Sequence, residues 1–157
     1  MDIKELDEVY DSCLAKGHIY YLVEADFERV KTMLWIVELD IAANESVSHA
    51  VEKMRNYSLL WKSRYDVIRQ LVDAILLLEK VKSNNHQCLY AFMCTKHPEW
   101  DIDWKTIETM RLLRNGAYYE GRPVTQESWK EFKLKFDIYI KTFLAILKEK
   151  LKEEKVE

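Results

Sequence analysis

The sequence predicts an all-α fold, an up-and-down bundle of four to five main helices with short helices beside them. Three observations carry the prediction. Gly and Pro number only 3 and 2 in 157 residues, about 3% where average usage is roughly 12%. None falls between Gly17 and Pro98, a stretch that a strand-rich fold would break with turns every ~8–12 residues. Apolar residues recur at alternating spacings of three and four, the helical period, and at 48% of the chain they suffice for one core. The same composition excludes disorder, and with no Gly-x-Gly anywhere it excludes a glycine-rich phosphate loop.

Each element can be justified in order. Ile3, Leu6, Val9, Tyr10, Cys13 and Leu14 form one face of a short N-terminal helix, residues 1–17, with Gly17 as its stop. Phe27, Val30, Leu34, Val37 and Ile41 place a second helix from about Ile19 to Ala43, after which Asn44 or Ser46 can cap the next. A heptad-like seam then runs through Val47, Val51, Met54, Ser58, Trp61, Tyr65, Ile68, Val72 and Ile75, polar only at Ser58. It reads as one long core helix, with a break near Asn56 as the alternative. Lys82–Asn85 is a polar break. Ser83 or Asn85 caps a short helix over His86–Thr95, and His97–Asp103 is a loop. Asp103 caps a helix over Trp104–Tyr119, the segment Tyr119–Val124 is a turn, and Thr125 caps a last helix striped by Trp129, Phe132, Phe136, Ile140, Phe143, Leu147 and Leu151. The charged tail, 148–157, is expected to fray. No repeat or linker divides the chain, so it reads as one domain over residues 1–157.

The net charge of −3 and pI near 5.9 exclude bulk nucleic-acid affinity, so any such site must be a local patch. The longest apolar runs, Met33–Val37 and Ala74–Leu78, are far short of the ~20 residues of a membrane span. The N-terminus is acidic, with no signal-peptide core, and three widely spaced cysteines do not read as a disulfide framework. Together these point to a cytoplasmic protein without membrane contact. On that footing the glycosylation-type triplets at Asn44 and Asn56 carry no meaning.

His86, Cys88, Cys94 and His97 resemble a metal set by residue type only. His86 and Cys94 lie eight residues apart, ~12 Å along a helix, and a zinc ion needs ligands at ~2.0–2.3 Å. They read as two buried thiols and two polar histidines, so no metal or other cofactor is expected. Asp101 and Asp103 beside Glu99 read as capping and solvated carboxylates.

The helix from Trp104 is different. Trp104, Ile107, Arg111, Arg114 and Tyr118 make a narrow stripe, with Asn115 inside it and Tyr119 at its edge, while Met110, Leu113 and Ala117 make a second, apolar one. Arginine on a core-like line is costly unless it is paired or faces a cleft. Its planar fork also matches two phosphate oxygens. One reading pairs both arginines with bundle carboxylates such as Asp66 or Asp73. The other makes Arg111, Arg114 and Tyr118 a phosphate or nucleic-acid site.

Arg111-x-x-Arg114-Asn115-Gly-Ala-Tyr118-Tyr119-x-Gly121 resembles the signature of the HEPN superfamily (higher eukaryotes and prokaryotes nucleotide-binding domains): an arginine, a polar residue and, a few positions on, a histidine, late in a helix before a turn and a final helix. Upstream, Tyr65-x-x-x-Arg69 and Lys82-Ser83-x-x-His86 look like the middle of small archaeal members, so the likeness spans about Arg64 to Leu147. It implies a helical bundle, a homodimer through the motif helix, and RNA, nucleotide or a nucleotidyltransferase as partner in a toxin–antitoxin setting. Carried over residue by residue, Arg114, Asn115 and Tyr119 fall on the catalytic positions of a metal-independent endoribonuclease. Tyr119 stands where the family has histidine. A tyrosine (pKa ~10) is a poor base at neutral pH where histidine (~6.5) is a good one, so the chain reads first as a catalytically weakened binding module. An active endoribonuclease toxin and a helical interaction scaffold are the alternatives. His86 is a distant substitute base, with no spacing that ties it to Arg114.

Overall fold

The computed structural model describes the backbone of residues 2–156 and the side chains of residues 2–154. Six α-helices make an all-α bundle: α1 (Leu6–Ala15), α2 (Phe27–Lys53), α3 (Tyr57–Leu78), α4 (His86–Lys96), α5 (Trp104–Tyr119) and α6 (Gln126–Val156). A two-stranded sheet, β1 (Ile19–Tyr21) and β2 (Val81–Ser83), and a 3₁₀ turn at Pro98–Trp100 complete it. No helix among the described residues is long and apolar enough to cross a membrane.

Helix α3 is the centre. It packs against α2, α6, α5 and α4, and twelve of its residues are buried, from Leu60 to Leu78. A core helix apolar nearly all round is what such a position requires. Trp61, fully buried, sits edge-on to Phe136 and beside Phe132 of α6, and its indole N–H donates to the Met110 carbonyl of α5 at 2.8 Å. Burial of each such large side chain is worth about 1.5–3 kcal/mol. Ser58, the polar exception in the seam, accepts from the Val124 N–H at 2.9 Å and so fastens the turn that follows α5.

The seam is two helices. The Asn56 N–H bonds the Val51 carbonyl, Arg55 takes a left-handed φ of 59°, and the Asn56 side chain accepts from the Leu59 N–H. This is a left-handed helix stop followed directly by an N-cap. Upstream, Val47 and Met54 are exposed, whereas the seam positions Trp61, Tyr65, Ile68, Val72 and Ile75 are buried. Helix α2 runs without interruption through Asn44 and Ser46, so neither is a cap: Asn44 instead reaches across to the Ser63 carbonyl and Ser46 folds back on the Ala43 carbonyl.

Three further expectations are corrected. Ile19–Tyr21 and Val81–Ser83 are strands, paired antiparallel with Ile19 opposite Ser83 and Tyr21 opposite Val81, rather than the start of a helix and a polar break. Cys13 and Cys88 are bonded as a disulfide, so Cys88 is not a free thiol, and only Cys94 remains free. The cysteine argument for a cytoplasmic setting falls with it, since disulfides mark oxidising compartments and, within cells, hyperthermophiles. Third, α6 continues through the charged segment to Val156 instead of fraying at Lys148; Glu157 lies outside the described residues.

Four other helix ends follow the sequence. Gly17, at φ +66°, closes α1. Asn85, Asp103 and Thr125 accept from the Cys88, Thr106 and Ser128 N–H groups at the starts of α4, α5 and α6.

Candidate functional site

Helices α3, α4 and α5 meet around a cavity of about 270 Å³. Three arginines line it: Arg69 from α3 and Arg111 and Arg114 from α5. The first turn of α4 adds Asn85, His86 and Gln87, and Tyr65, Asn115 and Tyr119 complete the wall. No carboxylate among the described residues lines it.

Local rules put each residue there. Arg111, Arg114 and Asn115 share one stripe of α5, and buried Met110 anchors the apolar stripe beside it. Tyr65 and Arg69 are one turn apart on α3. Asn85 caps α4 with its side chain, so the positive end of that helix dipole lies at the cavity wall. The disulfide to Cys13 ties the same turn to α1.

The arginines differ in how far they are neutralised. Arg111 donates through Nε and Nη2 to Glu108 at 2.6 and 3.0 Å, and Gln87 donates to the same carboxylate at 3.0 Å. Glu108 is only 2% exposed, so these donors hold a buried charge that would otherwise be very costly. Burial pulls Arg111 down, but the Glu108 hydrogen bond and charge outweigh it and hold the guanidinium above its ordinary range. Arg114 donates to the Tyr119 hydroxyl at 2.9 Å and lies 3.5 Å from Asp66, which is already paired with Lys62 at 2.8 Å. Its guanidinium sits 5.9 Å from the Tyr65 ring and 5.3 Å from the Tyr119 ring, within cation–π range. Arg69 makes no ion pair among the described residues. Nε of Arg69 and of Arg114 are both buried without a hydrogen-bond partner. Buried donors of this kind are normally satisfied, and each costs about 1–3 kcal/mol while it is not.

The Tyr90 hydroxyl donates to that of Tyr65 at 2.7 Å. Burial pushes Tyr65 up to about 12 and Tyr90 well above its ordinary value. Both phenols therefore stay protonated at neutral pH, and Tyr65 keeps its own proton to donate. His86 Nε2 lies 3.4 Å from the Asp73 carboxylate.

The structure thus gathers most of the residues singled out in the sequence. Arg111, Arg114, Asn115 and Tyr119 share one cavity, and His86, which spacing could not connect to them, lines it too. Tyr118 does not; it is 43% exposed, with Lys62 5.6 Å from its ring. Of the two carboxylates suggested as arginine partners, Asp66 approaches Arg114 and Asp73 faces His86 instead. Arg69 enters the sequence reading only through the resemblance, with no site role, and Gln87 and Glu108 do not enter it. Glu108 was legible in principle, three residues before Arg111 where an acid meets a base on a helix. Gln87 carries no such signal.

The four residues that resembled a metal set are dispersed: Cys88 is in the disulfide, Cys94 faces the Ile102 carbonyl at 3.7 Å, and His97 sits between Glu79 and Glu99. Burial pushes the Cys94 thiol up to about 12, which makes it a poor nucleophile. No protein-family model matches the chain, and neither the curated proteins nor the solved structures contain a match to it.

Proposed function

We propose that this chain is a HEPN-like module that binds RNA or a nucleotide by its phosphate at the arginine cavity. One observation carries the reading: three guanidinium groups converge on a cavity lined by no carboxylate among the described residues, and two of their buried Nε donors have no partner. Arginine is the side chain whose planar fork suits a phosphate. In a chain of net charge −3 this is a local patch of the kind the composition requires. The residues that carry the resemblance, Arg114, Asn115 and Tyr119, stand on the same wall. Arg111 and Arg114 do each meet an acid, Glu108 and Asp66, as in a ligand-free scaffold; the cleft beside them, and Arg69 on its wall with no ion pair among the described residues, are what favour the binding reading. Pairing through α5 with a second copy, or with a nucleotidyltransferase, belongs to the same proposal.

A second reading has its own observation. His86 lies on the cavity with Asp73 behind it, a base and an orienting carboxylate of the sort that ribonuclease chemistry uses. It could take the proton of a 2′-hydroxyl while the arginines hold the phosphate, replacing the histidine that Tyr119 displaces.

One experiment separates the readings. Binding and cleavage of single-stranded RNA are measured in EDTA for the wild type and Arg114→Ala. Removing one charge-assisted hydrogen bond, about 1.5–3 kcal/mol, should weaken binding roughly 10- to 100-fold. Binding without cleavage supports the module. Cleavage that disappears in Arg114→Ala and in His86→Ala supports the ribonuclease. A folded protein with neither activity overturns both.

A further inference from the structure

A second cavity, of about 220 Å³, adjoins the first at His86, with Asp73 on its wall. Arg29 of α2 and Lys82 of β2 stand at its edge, and Met33, Leu77, Val81 and Leu89 supply its apolar lining. His86 lines both cavities. The two follow one another along α3: Tyr65 and Arg69 line the first, Asp73 and Leu77 the second, at successive four-residue steps. Those twelve residue steps cover about 18 Å of helix.

The charge along this line is one-sided. Arg29, Lys82 and Arg69 make no ion pair among the described residues, and Arg111 and Arg114 follow. Asp73 is the single carboxylate among the described residues that lines either cavity, and it faces His86 at 3.4 Å. The two halves differ in chemistry. The first is polar and cationic, whereas the second has cations at the edge and aliphatic side chains within. A single strand offers phosphates to cations and base faces to apolar side chains; the apolar wall here is aliphatic, in place of the aromatic platforms on which single-strand binders stack bases.

We infer that the second cavity is a neighbouring-nucleotide subsite: a single strand held by its phosphate at Arg69, Arg111 and Arg114 runs past His86, places its next base against Leu77, Val81 and Leu89, and sets the next phosphate by Arg29 and Lys82. This rests on the phosphate-binding reading above and adds that the ligand is an oligonucleotide, rather than a mononucleotide or free phosphate.

The test uses the full chain with 5′-phosphorylated 2′-O-methyl adenosine probes, a mononucleotide and a trinucleotide, which cannot be cleaved by 2′-hydroxyl attack. The trinucleotide should bind at least about tenfold tighter. The double variant Arg29→Ala/Lys82→Ala, at two exposed positions, should remove most of that advantage while the mononucleotide affinity stays at the arginine cavity. It should also flatten the salt dependence of trinucleotide binding by about 0.7 in the log–log slope, the value for one phosphate no longer neutralised. Equal affinity for the two probes, or an unchanged trinucleotide affinity in the double variant, overturns the subsite and leaves the phosphate site standing. Binding of neither probe, or binding indifferent to Arg114→Ala, overturns both.

Discussion

The two ends of α4 carry the same kinds of residue and do opposite things. At its N-terminal end His86 faces one carboxylate at 3.4 Å and lies among arginines, two of which have buried nitrogens without partners. At its C-terminal end His97 is held at both ring nitrogens, by Glu79 at 2.6 Å and Glu99 at 2.9 Å. Its ring stacks on Trp100 at 3.8 Å, and Lys150 lies 3.7 Å from the same Glu79. The far end is a closed network in which each charge meets its opposite, which is how a fold stabilises polar groups. The cavity end is cationic and open. A histidine beside an acid is therefore not evidence of a site; unspent donors around it are.

The largest effect is expected at the disulfide that fixes the cavity end. Cys13 and Cys88 close a loop across 75 residues, for which the chain-entropy account gives about 4 kcal/mol. Reduction should lower the Tm by roughly 8–16 °C in a protein of this size. Thiol titration of the denatured chain should find one group, Cys94, before reduction and three after. Three thiols in the unreduced protein would mean that no tether distinguishes the cavity end from the far end.

The next effect divides the two ends directly. Arg111→Ala strands the buried Glu108 carboxylate and should cost about 3 kcal/mol, with RNA binding weakened as well. His97→Ala releases two partly solvated carboxylates and should cost about 1–2 kcal/mol, with RNA binding unchanged. Urea midpoints and RNA affinities of the same two variants check this. Loss of RNA binding in His97→Ala at temperatures where it is folded would erase the functional contrast between the ends.

What the sequence disclosed, and what it did not, divides by range. Capping is local, so Asn85, Asp103 and Thr125 marked their helix starts and Gly17 marked a stop. The stops at Arg55 and Lys80 are left-handed at φ 59° and 65° without glycine; nothing in residue type announces that, and tertiary packing imposes it. The strand pair and the disulfide join segments sixty residues or more apart, where period and spacing carry no information. The site divides in the same way. Arg111, Arg114 and Asn115 stood out because one helix face turned from apolar to cationic. His86, Arg69 and Gln87 come from other helices, and only the packing of α3 and α4 against α5 brings them there.

The smallest effect is an acid one at the closed end. A hydrogen bond from the His97 ring holds the Glu99 carboxyl below its ordinary value of 4.5. Between the two values the unfolded chain binds more protons than the folded one, so stability rises with pH there. The contribution of Glu99 is complete above about 4.5 and is lost as the pH drops through the lower folded value. Glu99→Gln should therefore be less stable than the wild type at about pH 6 and match it at about pH 3, as read from paired urea midpoints. Every other acid-sensitive group is common to both chains and cancels. Because Glu99 is solvent-exposed, the gap at pH 6 should be small and should shrink further in high salt. A gap that persists at pH 3 would mean that the charge of Glu99 is not what closes the network, and that Glu79 alone holds His97 in place.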